Sequence, residues 1–95
     1  MSTLRFEWDA RKAAANAKKH GVSFDEAKSV FADERAKLID DPDHSGEEDR
    51  FILLGLSGSL RLLVVCHCYR DSDGTIRLIS ARKATAAESL YYQQW

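Results

Sequence analysis

The sequence predicts a single α+β domain, with two N-terminal helices and a C-terminal helix packed on one face of an antiparallel β-sheet. Three observations carry this expectation. From Arg50 to Arg82 the chain holds three runs rich in Val, Ile, Leu and Cys, separated only by short turn sequences, which reads as a meander of strands. Before that region, two segments carry helix start and stop signals instead of alternation. After it, Thr85-Ala86-Ala87-Glu88 has the form of a capping box opening a last helix.

Taken in order, Arg5-Phe6-Glu7-Trp8 reads as a short edge strand. Asp9 is placed to cap a helix from Ala10 to about His20, with Lys18, Lys19 and His20 in the last turn and Gly21 as the stop. Ser23 with Glu26 reads as a capping box for a second helix, whose Phe24, Ala27, Val30 and Phe31 share one face. Ala36–Ile39 is a candidate strand ended by Asp41-Pro42-Asp43, and 44–49 is a polar loop. Strands follow at Arg50–Ser57, Leu60–Arg70 and Thr75–Arg82. The last helix should turn Leu90 and Tyr91 inward. The expected order is β-α-α-β-β-β-β-α.

The chain has 95 residues, enough for one domain spanning 1–95. Hydrophobic residues make up 44% and charged residues 31%, values that argue against disorder. No apolar run approaches the roughly 20 residues of a membrane span, and Met1–Arg5 lacks the apolar stretch of a secretory signal. The expectation is a cytoplasmic protein without a membrane partner. Cys66 and Cys68, two apart in a strand, share a face in poor geometry for bonding to each other. His67 between them would point away, so buried thiols are expected and no metal or other cofactor. Net charge is −1, but it is unevenly spread. Residues 1–20 carry five basic and two acidic groups, 21–50 four and ten, and 51–95 five and three. A local basic patch on such a chain can still attract phosphate.

Hairpin turns set register, and register decides which side chains share a face. Gly58-Ser59 as a two-residue type II′ turn places Arg50 opposite His67. Asp73-Gly74 as a type I′ turn places His67 opposite Ser80 and Val65 opposite Arg82. Arg50, His67 and Ser80 then form one row, with Arg82 diagonal to His67 and with Arg61 and Tyr69 flanking on the same face. The opposite, core face collects Phe51, Leu53, Leu62, Val64, Cys66, Ile79 and Ala81, together with Arg77 and Lys83. A row of this kind suits metal-independent RNA cleavage. His67 would take the 2′-hydroxyl proton, and Arg50 and Arg82 would hold the developing phosphorane charge. Arg61, Tyr69 and Ser80 could hold substrate, and His44 or Tyr91 could supply the acid. Each residue also has a plainer reading: His67 as a packed strand residue, Arg50 as a partner of Glu47 or Glu48, and Arg82 as a partner of Glu88.

Phe6-Glu7-Trp8-Asp9, Asn16, and Lys19-His20-Gly21-Val22-Ser23-Phe24-Asp25-Glu26-Ala27 resemble the opening of BrnT-type toxins. Asp43-His44-Ser45 with Glu48 and Arg50 looks like their central loop. Arg61–Val65 and Ile79-Ser80-Ala81-Arg82-Lys83-Ala84-Thr85, with Glu88 and Tyr91, resemble their closing segment. The resemblance implies a RelE-like fold and an endoribonuclease toxin that inhibits translation by cleaving RNA. It also implies neutralisation by a BrnA-like antitoxin, a ribbon-helix-helix DNA-binding protein through which alone the complex meets operator DNA. Arg82 is the residue it carries over most directly. A rival expectation is a non-catalytic binding module, a degenerate toxin acting only in an antitoxin complex.

Overall fold

A computed structural model describes residues 4–40, 50–70 and 74–94 of the chain. Its elements are β1 (Arg5–Glu7), α1 (Ala10–His20), α2 (Phe24–Ser29), a 3₁₀ turn (Val30–Ala32), β2 (Lys37–Asp40), β3 (Arg50–Leu56), β4 (Leu62–Arg70), β5 (Thr75–Lys83) and α3 (Ala86–Gln93). The predicted class and element order are those observed.

The helix ends follow from local chemistry. The Asp9 carboxylate accepts hydrogen bonds from the Arg11 and Lys12 amides at 2.8 and 3.1 Å, which hold it below the usual carboxylate range. Gly21 closes α1 in the left-handed region, at φ 69°, where a Cβ would be strained. Thr85 and Glu88 form the complete capping box of α3. At α2 only half of the expected box forms. Ser23 Oγ accepts from the Glu26 amide at 3.0 Å, but the Glu26 carboxylate turns outward to Arg61 and to Ser57, whose hydroxyl donates to it at 2.7 Å.

The five strands lie in the order β1-β5-β4-β3-β2. The four C-terminal strands form the antiparallel meander expected, while β1 joins β5 in parallel and makes the sheet mixed. One face carries the main core, in which Val22, Phe24, Ala27 and Val30 from the helical segment meet Leu53, Leu63, Val65, Ile76, Leu78 and Ala81. Gly55 on that face is required by close approach: a Cβ there would lie 2.8 Å from Ala36 Cβ and 3.0 Å from Val30 Cγ1. The second face carries a smaller cluster of Leu54, Val64 and Tyr92. So α3 packs on the face opposite α1 and α2, and not with them. Its inward residue is Tyr92, whereas Leu90 and Tyr91 are 63% and 47% exposed, contrary to expectation.

Both hairpin registers differ from the sequence reading. Ser57 N–H donates to Arg61 O at 2.8 Å and Leu60 N–H to Ser57 O at 2.9 Å. The loop is therefore the three residues Gly58-Ser59-Leu60, with Leu60 at φ 62°, the left-handed position that such loops need. One extra loop residue moves Arg50 opposite Cys68 and Phe51 opposite His67. At the next turn, Thr75 pairs with Arg70 and not with Ser72 as expected; residues 71–73 fall outside the described residues. A β-bulge then intervenes. His67 pairs with Leu78 but Cys66 pairs with Ser80, leaving Ile79 as the extra residue. Leu78 and Ala81, three apart, are consequently both buried on the core face, at 2% and 0% exposure.

Candidate functional site

These register changes reassign the side chains. His67 belongs to the core face and is 0% exposed. Its ring is enclosed by Phe31 at 4.8 Å, Tyr69 at 5.3 Å and Phe51 at 6.2 Å between centroids. Nδ1 lies 3.2 Å from the Val65 carbonyl oxygen, and Nε2 is buried with no hydrogen-bond partner among the described residues. Burial pushes the imidazole below its ordinary pKa. The ring is therefore neutral, as a base must be, but it is sealed from any substrate. The expected Arg50–His67–Ser80 row does not form, because a one-residue slip sends alternate residues to opposite faces. Leu62, Val64 and Cys66 likewise move from the expected core face to the second face.

Other candidates are held in structural roles. Arg82 sits on the second face beside α3, where its two terminal nitrogens donate to the two Glu88 oxygens at 2.8 and 2.9 Å. That fork pulls the Glu88 carboxyl down to about 2. Along β4, Arg82 is level with Val64 and Arg50 with Cys68, a separation of four residues or about 13 Å. Arg61 is paired with Glu26 and donates to Gly21 O at 3.0 Å, tying the β3–β4 hairpin to the start of α2. Tyr69 is half exposed on the core-face side. Tyr91 presents its ring to the Lys37 ammonium at 4.3 Å, and Lys37 also donates to the Tyr91 and Gln94 carbonyls. Ser80 is exposed on the second face. His44 lies outside the described residues.

What the second face does assemble is a set of arginines. Across one row run Glu7 (β1), Arg77 (β5), Cys68 (β4) and Arg50 (β3). Across the next run Arg5, Thr75 and Arg70. The bulge is decisive. Arg77 and Arg82 are five residues apart, which in a regular strand puts them on opposite faces, but Ile79 resets the alternation so that both project from the second face. Arg77 donates to Glu7 Oε2 at 2.7 Å, and Arg70 lies 3.7 Å from the same oxygen. Tyr92 of α3 packs on the Leu54–Val64 end of this face. Toward the other end, among the described residues, stand Arg5, Arg50, Arg70 and Arg77 with Glu7 and Cys68. Guanidinium forks at strand spacing of about 5 Å suit successive phosphate oxygens. Arg70 and Arg77 are not in the sequence-derived site; the lengths of the two hairpin loops place them, through the pairings of Arg50 with Cys68 and of Cys68 with Arg77, and neither loop length is marked by turn residues that demand it.

Two further residues shape the site from behind. Asn16 of α1 is 8% exposed; its Nδ2 donates to Val22 O and Ala81 O at 3.0 and 2.8 Å, and its Oδ1 accepts from Ala81 N–H at 3.1 Å. The amide thus serves both backbone groups of Ala81, beyond the end of β1. Asp33 anchors α3. Burial works to raise its carboxyl, but hydrogen bonds from Tyr92 Oη at 2.6 Å, Leu56 N and Arg35 N hold it below the usual range.

Residues 8–88 match the family profile described as the ribonuclease toxin, BrnT, of type II toxin-antitoxin systems. The chain belongs to the BrnT family. In keeping with that membership, the fold matches the 1.1 Å crystal structure of the Brucella abortus ribonuclease toxin, BrnT, with a TM-score of 0.67. That match covers 87% of this chain and 99% of the other, at 24% identity. A search of curated proteins finds no match. As a member of a type II toxin family, the BrnT chain has an antitoxin for its partner. No helix among the described residues is long and apolar enough to cross a membrane.

Proposed function

We propose that this protein is a metal-independent endoribonuclease toxin that binds RNA across the arginine-bearing end of the second sheet face. The observation that carries the reading is the placement of Arg5, Arg50, Arg70 and Arg77 from four strands at that end of the face. RNA cleavage without metal has the 2′-hydroxyl attack its own phosphate, and the charge that develops on phosphorus needs fixed cations. Arginine supplies them at any physiological pH. In this reading Arg50 keeps the phosphate-binding role that its residue type suggests, while His67 and Arg82 act on stability and on α3. The partner is a BrnA-like ribbon-helix-helix antitoxin that covers the arginine face, contacts operator DNA for the complex, and neutralises the toxin in the cytoplasm.

Purified protein incubated with single-stranded RNA in EDTA tests this reading. Wild type should cleave, and an Arg70→Ala/Arg77→Ala variant with unchanged melting temperature should lose at least about 100-fold in rate, the scale of removing transition-state charge stabilisation. Cleavage that appears only on adding Mg²⁺ would overturn the metal-independent mechanism. No cleavage under any condition, with no growth arrest on expression, would favour the binding-module reading.

A further inference from the structure

We propose that Glu7 is the general base of RNA cleavage on the arginine face, an inference that rests on the ribonuclease reading above. With His67 sealed in the core, the face needs another group to take the 2′-hydroxyl proton. Among the described residues, the other carboxylates near the sheet stand elsewhere: Asp9 at the α1 cap, Glu26 with Arg61 and Ser57, Asp33 with Tyr92 and Leu56, Glu88 with Arg82, and Asp40 in β2 level with Phe51 rather than with an arginine. Among the described residues, Glu7 is the carboxylate standing among these arginines, and its side chain is 38% exposed.

Its two oxygens are in different situations. Both guanidinium contacts, from Arg77 at 2.7 Å and Arg70 at 3.7 Å, fall on Oε2. Oε1 has no hydrogen-bond partner among the described residues. One oxygen is therefore anchored and the other is open to accept a proton. The geometry also places base and phosphate side by side. A guanidinium carries five N–H donors in a plane, so Arg77 and Arg70 can hold Glu7 by one edge and a phosphodiester by another. The ribose attached to that phosphate then lies within reach of Oε1.

The step balances with the substrate and water alone. Oε1 removes the proton of the 2′-hydroxyl, and the 2′-oxygen forms a bond to phosphorus. The bond from phosphorus to the 5′-oxygen breaks, and the 5′-oxygen leaves as a hydroxyl, taking a proton from water. Glu7 returns its proton to solvent. The products are a 2′,3′-cyclic phosphate and a 5′-hydroxyl end.

The plainer role for Glu7 is an ion pair that fastens β1 to β5, and the two roles differ in their signature. Glu7→Gln keeps an oxygen for Arg77 but cannot take a proton. The proposal expects cleavage to fall at least about 100-fold, with RNA affinity unchanged or tighter, because a negative charge leaves a phosphate-binding face. Glu7→Gln cleaving within threefold of wild type to the same products would overturn it. If that variant does not fold, Glu7→Asp keeps the charge and withdraws the carboxylate by one methylene; it should bind RNA and cleave slowly, and wild-type cleavage by a folded Glu7→Asp would overturn the proposal. An active Glu7→Gln beside an inactive Arg70→Ala/Arg77→Ala variant removes Glu7 and keeps the ribonuclease reading. A wild type that leaves RNA intact removes both.

Discussion

His67 shows how one residue type can promise chemistry and deliver packing. Its neighbours are Phe31, Phe51 and Tyr69, and its Nε2 is buried without a partner among the described residues, so ionising it in place is costly. The consequence for stability has a definite sign. The folded-state pKa lies below the ordinary value of 6.5, so in acid the unfolded chain gains a proton that the folded chain refuses. Stability from this group is present above about pH 6.5 and is lost as pH falls below it. His67→Leu removes both the titration and the orphaned nitrogen. Denaturant melts should find this variant within about 1 kcal/mol of wild type or more stable at pH 8, with a flatter profile between pH 6.5 and 5. RNA cleavage should persist. A folded His67→Leu that no longer cleaves would return His67 to the mechanism.

Among elements, β5 decides where the arginines go. Its first three residues pair with β1; beyond them its outer edge has the Asn16 amide in place of a strand, bonded to both the N–H and the C=O of Ala81. Asn16→Leu fills the volume but leaves those groups unsatisfied. It should cost about 2–3 kcal/mol in urea unfolding, whereas a cost under about 0.5 kcal/mol would show that the edge does not depend on the amide. This is also the scale at which sequence reasoning succeeds and fails. Strand positions, both N-caps, Gly21 and the Thr85–Glu88 box follow from local chemistry, and they are observed. The site rested on parity, which is not local in the same way. A left-handed Leu60 lengthens one loop with a residue that rarely adopts that conformation, and the bulge at Ile79 has no composition of its own. Either one is enough to exchange the two faces of a strand. Arg50 kept its face because alternation with Leu53 within β3 does not depend on how β4 pairs; His67 changed face because the longer loop sets it opposite Phe51.

At the scale of the whole molecule, the net charge of −1 says little about local charge, because among the described residues arginines gather on one face. The second sheet face gathers arginines from β1, β3, β4 and β5, while Glu26 and Asp33 are held in contacts around the α2 start and the base of α3. A chain of slight negative charge can therefore bind a polyanion through one side. RNA affinity should fall as salt rises. Each phosphate that a variant no longer neutralises should lower the slope of log affinity against log salt by about 0.7 for a single strand. Anisotropy titrations of Arg70→Ala/Arg77→Ala should show a slope smaller by about 1.4, and an unchanged slope would place the RNA elsewhere.

The parallel pairing of β1 with β5 also has a meaning in time. Glu7 and Arg77 meet across 70 residues of chain, so the row they share cannot exist until nearly all of the polypeptide has been made. A ribosome that stalls or releases the chain before β5 yields a fragment with β1 unpaired and Arg70 and Arg77 missing or unplaced. For a member of a ribonuclease-toxin family, that order of assembly means that this row of the sheet is among the last parts of the fold to form.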